Sequence, residues 1–265
     1  MQSRDEIQRV ARYEGVPTTT IEKDMLLDVM LDEIARAPYG AGTLYFKGGT
    51  AIRKLFIPGY RYSEDLDFTF EGSWNMATLR HWLADVAAAM EQTTGQSRRS
   101  LTVRETRNVV GEEALDAHLI VSSRLSSTLT QRIKFDITHF EHVLDRIQAP
   151  LSSGVLLPAY SLEEIVAEKT RSLFQRVRSR DLYDLAVLAS RVDRTTVRRL
   201  ADQKMVFKNV TPSWDRFLGR KPDFSSAWLA SLKKLMREVP PFEQCWQVAT
   251  DYMVTLELLP PQDTE

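Results

Sequence analysis

The stretch that decides the fold is Phe46-Lys47-Gly48-Gly49-Thr50, followed by Arg61-Tyr62-Ser63-Glu64-Asp65-Leu66-Asp67-Phe68-Thr69-Phe70. From Asp65 onward polar and apolar residues alternate, which is the period of a β-strand and places Asp65 and Asp67 on one face. At a rise of about 3.3 Å per residue, their backbones lie about 6.6 Å apart. Two carboxylates this close favour a bound cation. Mg²⁺ prefers one or two carboxylates together with substrate phosphates.

The two glycines upstream lie between a predicted strand, Leu44–Phe46, and a predicted helix, Ala51–Phe56. Such a junction presents backbone N–H groups and the positive end of the helix dipole to an anion. Glycines also make tight turns, so the pair alone is weak evidence. Combined with the Asp-x-Asp strand, it predicts a phosphate site beside a metal site, which is the arrangement that nucleotidyl transfer needs.

Composition bounds the class of protein. The chain has 265 residues, 43% hydrophobic and 27% charged, which is typical of a globular protein with room for two subdomains. The single cysteine, Cys245, excludes an internal disulfide and fits a reducing cytoplasm. No apolar run approaches the roughly 18 residues of a membrane helix, and the N-terminus lacks a signal core. We therefore expect a cytoplasmic protein with no membrane partner.

The order of elements predicts a mixed α/β half followed by a helical half. Thr19-Thr20-Ile21-Glu22 predicts a capping box that opens a helix to about Arg36, and Ser161-Leu162-Glu163-Glu164 predicts a second one. The segment 149–154 is the predicted linker. We place the domains at 1–155 and 156–265. Other predicted elements are the helix Met76–Gln92 and the strands Leu101–Arg107, His118–Ser122 and Arg132–His139.

Asp136 lies on the polar face of the last of these strands, between Lys134 and Thr138. If this strand neighbours the Asp65 strand, Asp136 completes a three-carboxylate site of the kind used in two-metal phosphoryl chemistry. The alternative is a solvated aspartate at the edge of the sheet.

Lys169 falls on the apolar stripe of the helix that starts at Ser161, three residues after Val166 and four before Leu173. A charged group there is desolvated unless it meets an anion, which a nucleotide triphosphate would supply. The alternative is that the side chain extends to solvent. In the next helix Asp181 is a candidate N-cap, and Asp184 is placed to accept from Lys169, Arg180 or substrate.

Charge is unevenly distributed along the chain. Residues 169–208 contain eleven Lys and Arg against four Asp, a net charge of +7, whereas the whole chain carries −1. Overall charge therefore argues against a uniformly basic coat, and the local excess predicts a polyanion-binding face. A solvated, arginine-rich helix pair is the alternative.

Taken in order, these motifs closely resemble the AbiEii/AbiGii toxin family, which includes the MenT toxins of the nucleotidyltransferase superfamily. The resemblance spans about residues 20–190 and rests on five motifs: Ile21-Glu22-Lys23-Asp24, Phe46–Thr50, Arg61–Phe68, Ala167-Glu168-Lys169 and Arg180-Asp181-Leu182-Tyr183-Asp184-Leu185. It implies an α+β fold, in which a DNA-polymerase-β-like nucleotidyltransferase domain (a mixed sheet with flanking helices) precedes an α-helical domain that completes the active site.

The resemblance also implies a function. The chain would be the toxin of a bacterial toxin–antitoxin or phage-defence pair, with a cognate antitoxin encoded alongside. MenT-type members transfer nucleotides from an NTP to the 3′ acceptor end of tRNA, which blocks aminoacylation and translation. The competing interpretations are the same chemistry on a small-molecule or protein acceptor, and a binding module without activity. The close carboxylate pair argues against the last, because a binding module has no need for it.

Carried over by position, the resemblance assigns Ser63 and Asp65 to the family's Ser-x-Asp pair, with Asp184 as the later aspartate and Asp181 its rival. The predicted catalytic residues are Ser63, Asp65, Asp67, Lys169 and Asp184. The predicted nucleotide contacts are Lys47, Gly48, Gly49, Thr50, Ser63 and Lys169. The predicted ligands of Mg²⁺, or alternatively Mn²⁺, are Asp65, Asp67 and Asp136. The predicted contacts to the tRNA acceptor stem are Arg171, Arg176, Arg178 and Arg180. Phosphorylation of Ser63 would place a dianion against Asp65 and is a candidate control point.

Overall fold

The computed structural model describes residues 3–107, 113–139 and 141–259, which form two compact units, Met1–Tyr160 and Ser161–Glu265. The first unit combines a sheet with helices and the second is helical, which confirms the predicted α+β class. The functional roles predicted for the segments 1–155 and 156–265 stay predictions. None of the helices in the described ranges has the length and apolar character needed to span a membrane.

Seven strands and four helices lie in the described residues of the first unit. The helices are α1 (Arg4–Glu14), α2 (Thr18–Arg36), α3 (Gly48–Ala51), which continues as a π-helical turn over Ile52–Phe56, and α4 (Met76–Thr94). The strands are β1 (Gly42–Lys47), β2 (Asp65–Gly72), β3 (Arg98–Arg107), β4 (Glu113–Ser122), β5 (Thr130–His139), β6 (Arg146–Pro150) and β7 (Leu156–Tyr160).

The sheet is mixed, with the strand order β3-β4-β5-β2-β1-β7-β6. Strand β2 lies near the centre, parallel to β5 on one side and antiparallel to β1 on the other. Residues 149–154, predicted as a linker, instead include the connection between the antiparallel strands β6 and β7. That prediction is wrong because the turn-forming residues Ser152, Ser153 and Gly154 close a hairpin within the first unit.

The two faces of the sheet differ in character because side chains alternate along each strand. One face carries buried apolar residues such as Phe46, Phe68 and Phe135, and α2 and α4 lie against β5 and β3. Burying each such side chain contributes about 1.5–3 kcal/mol. The opposite face carries the polar residues of β2 and β5. The core thus holds these polar positions on rigid central strands.

The first predicted capping box is wrong. Helix α2 begins at Thr18 with Pro17 as its N-cap, and the Glu22 side chain is fully buried. Its carboxylate accepts hydrogen bonds from Ser123 Oγ at 2.6 Å and Gln131 Nε2 at 2.7 Å. Tertiary hydrogen bonds therefore use the carboxylate that a capping box would have directed to the helix end.

The part of the second unit that the structure describes, residues 161–259, contains six helices: α5 (Leu162–Gln175), α6 (Ser179–Leu188), α7 (Arg194–Phe207), α8 (Trp214–Leu218), α9 (Lys221–Leu232) and α10 (Phe242–Thr255). Ser161 caps α5 as predicted, accepting from the Glu164 N–H at 3.0 Å. The Glu164 side chain pairs with Lys204 Nζ at 2.7 Å. Phe217 stacks on Trp246 with ring centroids 4.7 Å apart, inside the aromatic core of this unit.

Candidate active site

The carboxylates of β2 lie where the alternation places them, on the polar face of the sheet. Asp65 and Asp67 are both partly exposed, whereas Leu66 between them is buried. The start of the strand is fixed by the buried Thr50, whose hydroxyl donates to the Asp65 carbonyl at 2.6 Å. The Thr50 side chain therefore joins α3 to β2. Its predicted nucleotide contact stays a prediction, and it would involve the backbone N–H.

The glycine pair allows this strand and the neighbouring loop to approach the start of α3 closely. Gly48 has a φ of +80°, which disfavours any residue with a Cβ, and a methyl group there would overlap the Asp67 carboxylate. A methyl group at Gly49 would lie 3.0 Å from both Arg61 Nη2 and Ser63 Oγ. Ser63 and Asp67 therefore lie close to the backbone at which the phosphate site is predicted.

Asp136 lies beside Asp67, since β5 pairs with β2 in a register that matches these two residues. Strand β4 pairs with β5 so that Asp116 lies opposite Asp136. The Asp136 carboxylate is bound by Lys134, whose Nζ lies 2.6 Å from Asp136 Oδ2 and 3.5 Å from Asp116 Oδ2. Asp136 is thus on a strand that neighbours β2, as expected, and its role as a metal ligand stays a prediction.

The charge on Lys134 is stabilised by its surroundings. Partial burial alone would lower the pKa of Lys134. The hydrogen bond to Asp136 and the negative charges of Asp136, Asp116 and Asp65 outweigh this effect, so the pKa is raised above its usual value. Lys134 is therefore a permanent ammonium on the carboxylate face at neutral pH.

Asp65 and Asp67 fit a divalent cation by the chemistry of their donors. Carboxylate oxygens are the ligands that Mg²⁺ and Mn²⁺ prefer. Among the residues that the structure describes, no group of three or more His, Cys, Asp or Glu side chains is arranged to hold a metal ion. The pair therefore fits the type of Mg²⁺ site that uses one or two carboxylates and completes its shell with substrate phosphates and water, rather than an all-protein cage.

Lys47, a predicted nucleotide contact, is buried in the first unit. Its Nζ lies 2.6 Å from Glu141 Oε2, and both side chains are less than 10% exposed. The same Nζ lies 5.3 Å from the centroid of the Tyr160 ring. An internal carboxylate thus compensates the charge of Lys47, and the nucleotide contact stays a prediction.

In the second unit Lys169 forms a buried cluster with two aspartates. Its Nζ lies 2.5 Å from Asp184 Oδ2 and 2.9 Å from Asp181 Oδ1. The Asp184 side chain is 0% exposed and that of Lys169 is 10% exposed. Two carboxylates of the same unit supply the anion that Lys169 requires, and Asp184 accepts from Lys169 as its position in the sequence predicted. The nucleotide contact of Lys169 stays a prediction. The catalytic roles of Lys169 and Asp184 stay predictions from the resemblance.

Asp181 is not the cap of its helix. Helix α6 begins at Ser179 with Arg178 as N-cap, and the Asp181 carboxylate accepts from Lys169 Nζ at 2.9 Å and Arg176 Nη2 at 3.3 Å. Burial alone would raise the pKa of Asp181, but the positive charges of Lys169, Arg176 and Arg178 and the hydrogen bond from Lys169 lower it well below its usual range. Asp181 is thus an ionised member of the cluster.

The predicted RNA contacts divide by exposure. Arg176 and Arg178 are exposed and Arg180 is partly exposed, whereas Arg171 is buried, with Glu168 at 3.6 Å. The prediction places the charge of Arg171 at the surface, whereas the structure places this side chain in the interior. Three of the eleven basic residues in 169–208 are buried, namely Lys169, Arg171 and Lys204. The remaining eight are at least partly exposed, so most of the basic excess lies at the surface.

Several residues near these sites were not assigned from the sequence. Arg61 is the first residue of the Arg61–Phe68 motif, and Lys134 shares a strand face with Asp136. Both positions could therefore have been identified as site residues from the sequence pattern. Asp116 was missed because the predicted strand began at His118, whereas β4 begins at Glu113. Glu141 had no local signal, because its partner Lys47 is 94 residues away along the chain.

Comparison with known proteins shows the fold and the family. MenT4, a nucleotidyltransferase toxin from Mycobacterium tuberculosis H37Rv, superposes with a TM-score of 0.67 at 20% identity, covering 100% of this chain and 91% of that chain. A protein from H. pylori described as a candidate nucleotidyltransferase superposes with a TM-score of 0.60 at 19% identity, covering 92% and 98%. These likenesses confirm the predicted nucleotidyltransferase fold. A comparison with curated proteins found no match.

The sequence itself carries the family assignment. The sequence model described as nucleotidyl transferase AbiEii toxin, type IV toxin–antitoxin system, matches residues 29–248. This range covers most of the chain, including the glycine pair, the carboxylates of β2 and the Lys169 cluster. The chain therefore belongs to the AbiEii nucleotidyltransferase toxin family of type IV toxin–antitoxin systems.

Proposed function

We propose that this toxin transfers a nucleotide from an NTP to the 3′ acceptor end of tRNA in the presence of Mg²⁺. The observation that carries the chemistry is the pair Asp65 and Asp67, partly exposed on one strand face, with Asp67 packed against Gly48. The family adds the toxin role and a cognate antitoxin as partner. The choice of acceptor rests on the resemblance of the sequence motifs to MenT-type toxins, whose members transfer nucleotides to tRNA.

The site residues of the first unit would have separate roles in the reaction. Asp65 and Asp67 would hold Mg²⁺, which when bound would offset the negative charge of the triphosphate. The N–H groups of Gly48, Gly49 and Thr50 would donate to phosphate oxygens, and Ser63 would lie beside them. The acceptor hydroxyl oxygen bonds to the α-phosphorus as the bond to the β-phosphate breaks, pyrophosphate leaves and the hydroxyl proton passes to solvent. Catalysis is then mostly positioning and charge compensation.

The tRNA would bind through its phosphates. Arg176, Arg178 and Arg180 present charge at the surface within a stretch that carries a net +7. Contacts of this kind hold a nucleic acid without reading its sequence, and they weaken as salt concentration rises. Nucleotides added to the acceptor end would block aminoacylation and so arrest translation.

A transfer assay tests this proposal. Purified protein, Mg²⁺ and each labelled NTP are incubated with total tRNA, beside the variants Asp65→Asn and Glu64→Gln. Asp65→Asn should lower the rate at least about 100-fold, since a bound metal contributes several kcal/mol to transition-state stabilisation. Glu64→Gln removes a neighbouring carboxylate, which pairs with Lys23 at 3.4 Å, and should change the rate by less than about threefold. Full activity in Asp65→Asn would refute the metal assignment.

A small molecule or a protein is the alternative class of acceptor. The burial of Arg171 favours this alternative, because a buried arginine is less able to contact RNA than the other three predicted contacts. The same chemistry would then act on a small molecule or a protein. Charge reversal at Arg178 separates the alternatives: Arg178→Glu should reduce transfer to tRNA by about tenfold, equivalent to about 1.4 kcal/mol, and leave a small-molecule acceptor unaffected. Arg12→Glu, an exposed arginine on α1, is the matched control. Equal losses in both variants would contradict a specific role for Arg178.

A further inference from the structure

We infer that Lys134 is a built-in cation of the carboxylate face, which takes the place of a second divalent ion. In this arrangement Asp65 and Asp67 hold a single ion, and Asp136 is a positioning residue for Lys134 rather than a metal ligand. The inference rests on the proposed function, since it concerns the same carboxylates, and it states how many metal ions the protein itself binds.

Lys134 is enclosed by carboxylates from three adjacent strands. In the pairing of β5 with β2 it lies opposite Asp65. Its Nζ is 2.6 Å from Asp136 Oδ2 on its own strand and 3.5 Å from Asp116 Oδ2 on β4. The contact with Asp136 is a charge-assisted hydrogen bond, and the contact with Asp116 is a longer ion pair. A divalent ion ligated by Asp136 would have to share a carboxylate whose Oδ2 Lys134 already binds, and its positive charge would repel the ammonium.

The need for a cation here follows from the register. Asp67, Asp136 and Asp116 lie side by side on β2, β5 and β4. Residues directly opposite on neighbouring strands are about 4.5–5.5 Å apart, and like charges at this distance are destabilising. An ammonium fixed to the β5 backbone has a high effective concentration at this place, so it competes well with a dissolved metal ion.

The Asp116 carboxylate also has a contact through the oxygen that does not face Lys134. Its other carboxylate oxygen, Oδ1, lies 2.8 Å from His118 Nε2, and the Arg132 side chain reaches the same imidazole, with Nε 3.0 Å from His118 Nδ1. Basic groups thus flank Asp116 on both sides. Asp65 and Asp67 lie on β2, on the other side of Lys134, and are the carboxylates proposed to hold the metal ion.

Counting bound ions tests the inference. Mn²⁺ is titrated into the full chain without nucleotide, and the free ion is followed by its electron paramagnetic resonance signal. The wild type should bind one ion. Lys134→Met removes the ammonium and keeps the apolar stem, so it should bind two, because Asp136 and its neighbours on β2 and β4 then face one another without that ammonium. Lys134→Arg should stay at one, and Lys134→Met/Asp136→Asn should return to one.

Two outcomes would overturn the inference: two ions in the wild type, or a single ion in a folded Lys134→Met protein. Circular dichroism and a thermal melt establish that each variant is folded, and Lys134→Gln provides a second neutral variant. The transfer assay distinguishes a failure of this inference from a failure of the proposed function. If Lys134→Met gains an ion but the wild type transfers no nucleotide, the proposed function fails alone. If transfer depends on Asp65 but the wild type binds two ions, only the role of Lys134 fails.

Discussion

The carboxylates of β2 and the aspartates around Lys169 contain the same residue types, but their environments are opposite. Asp65 and Asp67 are partly exposed on a sheet face that carries several acidic groups. Asp184 is completely buried and lies 2.5 Å from Lys169 Nζ. Sequence motifs alone gave both groups equal standing as catalytic candidates. The structure shows that the first group is accessible to an outside cation, whereas the second is neutralised within its own unit.

This difference has a physical consequence for what each group can do. Removing charges from water costs several kcal/mol per ion, so a buried pair is tolerated only when its partners are closely matched. Such a cluster contributes to the fold when it is intact and destabilises the fold strongly when one member is lost. Partly exposed carboxylates keep contact with solvent, where charges interact more weakly than in the interior, and a dissolved metal ion can reach them from that side.

The largest expected effect comes from breaking the buried cluster. Lys169→Met leaves Asp181 and Asp184 buried without their ammonium and should lower the free energy of unfolding by about 3–5 kcal/mol. The double variant Lys169→Met/Asp184→Leu replaces the pair by apolar groups and should recover most of this loss. Urea unfolding followed by circular dichroism measures both values, with Asp65→Asn as the comparison from the exposed face.

The double variant also sharpens the assignment of roles. A stable but inactive double variant would support the catalytic role predicted for Lys169 and Asp184 from the resemblance. A stable and active one would leave the cluster a structural role only. A loss of less than about 1 kcal/mol in Lys169→Met, the range of an exposed pair, would contradict the contrast between the two regions.

The exposed face was predictable because its signal is local. Alternation from Asp65 to Phe70 fixes which side chains share a face, and β2 has this pattern. The same reasoning identified the strand that contains Asp136. That this strand pairs with the Asp65 strand could only be assumed from the sequence, because strand order depends on contacts between residues far apart in the chain. The glycine pair was recognisable as a turn into a helix, but the proximity of Gly48 to Asp67 required the antiparallel pairing of β1 with β2.

The buried cluster was only half predictable. Helical spacing correctly placed Lys169 on an apolar stripe and raised the question of its anion. The answer depended on where α6 begins, because a start at Ser179 puts Asp181 inside the helix and directs its carboxylate to Lys169. The first capping box failed for a similar reason, since Glu22 found partners more than 70 residues away. Local patterns identify candidate partners, and tertiary contacts select among them.

A smaller effect is expected at the two glycines, which allows the close approach of β2 to be tested. Gly48→Ala introduces a Cβ at a φ of +80°, which costs about 1–2 kcal/mol, and the overlap with the Asp67 carboxylate adds to this. Gly49→Ala meets only the ends of the Arg61 and Ser63 side chains, so its cost should be about 0.5–1.5 kcal/mol. Thermal unfolding measures the difference.

Activity should distinguish the same two variants. Gly49→Ala should fold normally but displace Ser63, so its KM for NTP should rise while the stability changes little. Gly48→Ala should lower kcat as well, because Asp67 moves. If Gly49→Ala proved the more destabilising of the two, the packing of Asp67 against Gly48 would not be the constraint that requires glycine at position 48.

The smallest effect is expected from acid titration, in which Asp181 of the Lys169 cluster and Asp28 on α2, a carboxylate of the first unit outside β2, should give effects of opposite sign. The pKa of Asp181 is lowered from its usual 3.8, with the charge of Lys169 as the largest cause that outweighs burial. Its stabilising contribution is therefore complete above pH 3.8 and is lost as pH falls toward the lower pKa of the folded state, because only the unfolded chain takes up the proton in that window.

In the first unit, burial raises the pKa of Asp28, and Lys54 offsets this only in part. Around and above pH 3.8 the folded state therefore holds the Asp28 proton more tightly, and stability falls as pH rises. Urea midpoints between pH 3 and 6 should show a smaller acid loss in Asp181→Asn than in the wild type and a larger one in Asp28→Asn. A parallel change in both variants would contradict the opposite pKa shifts of Asp181 and Asp28.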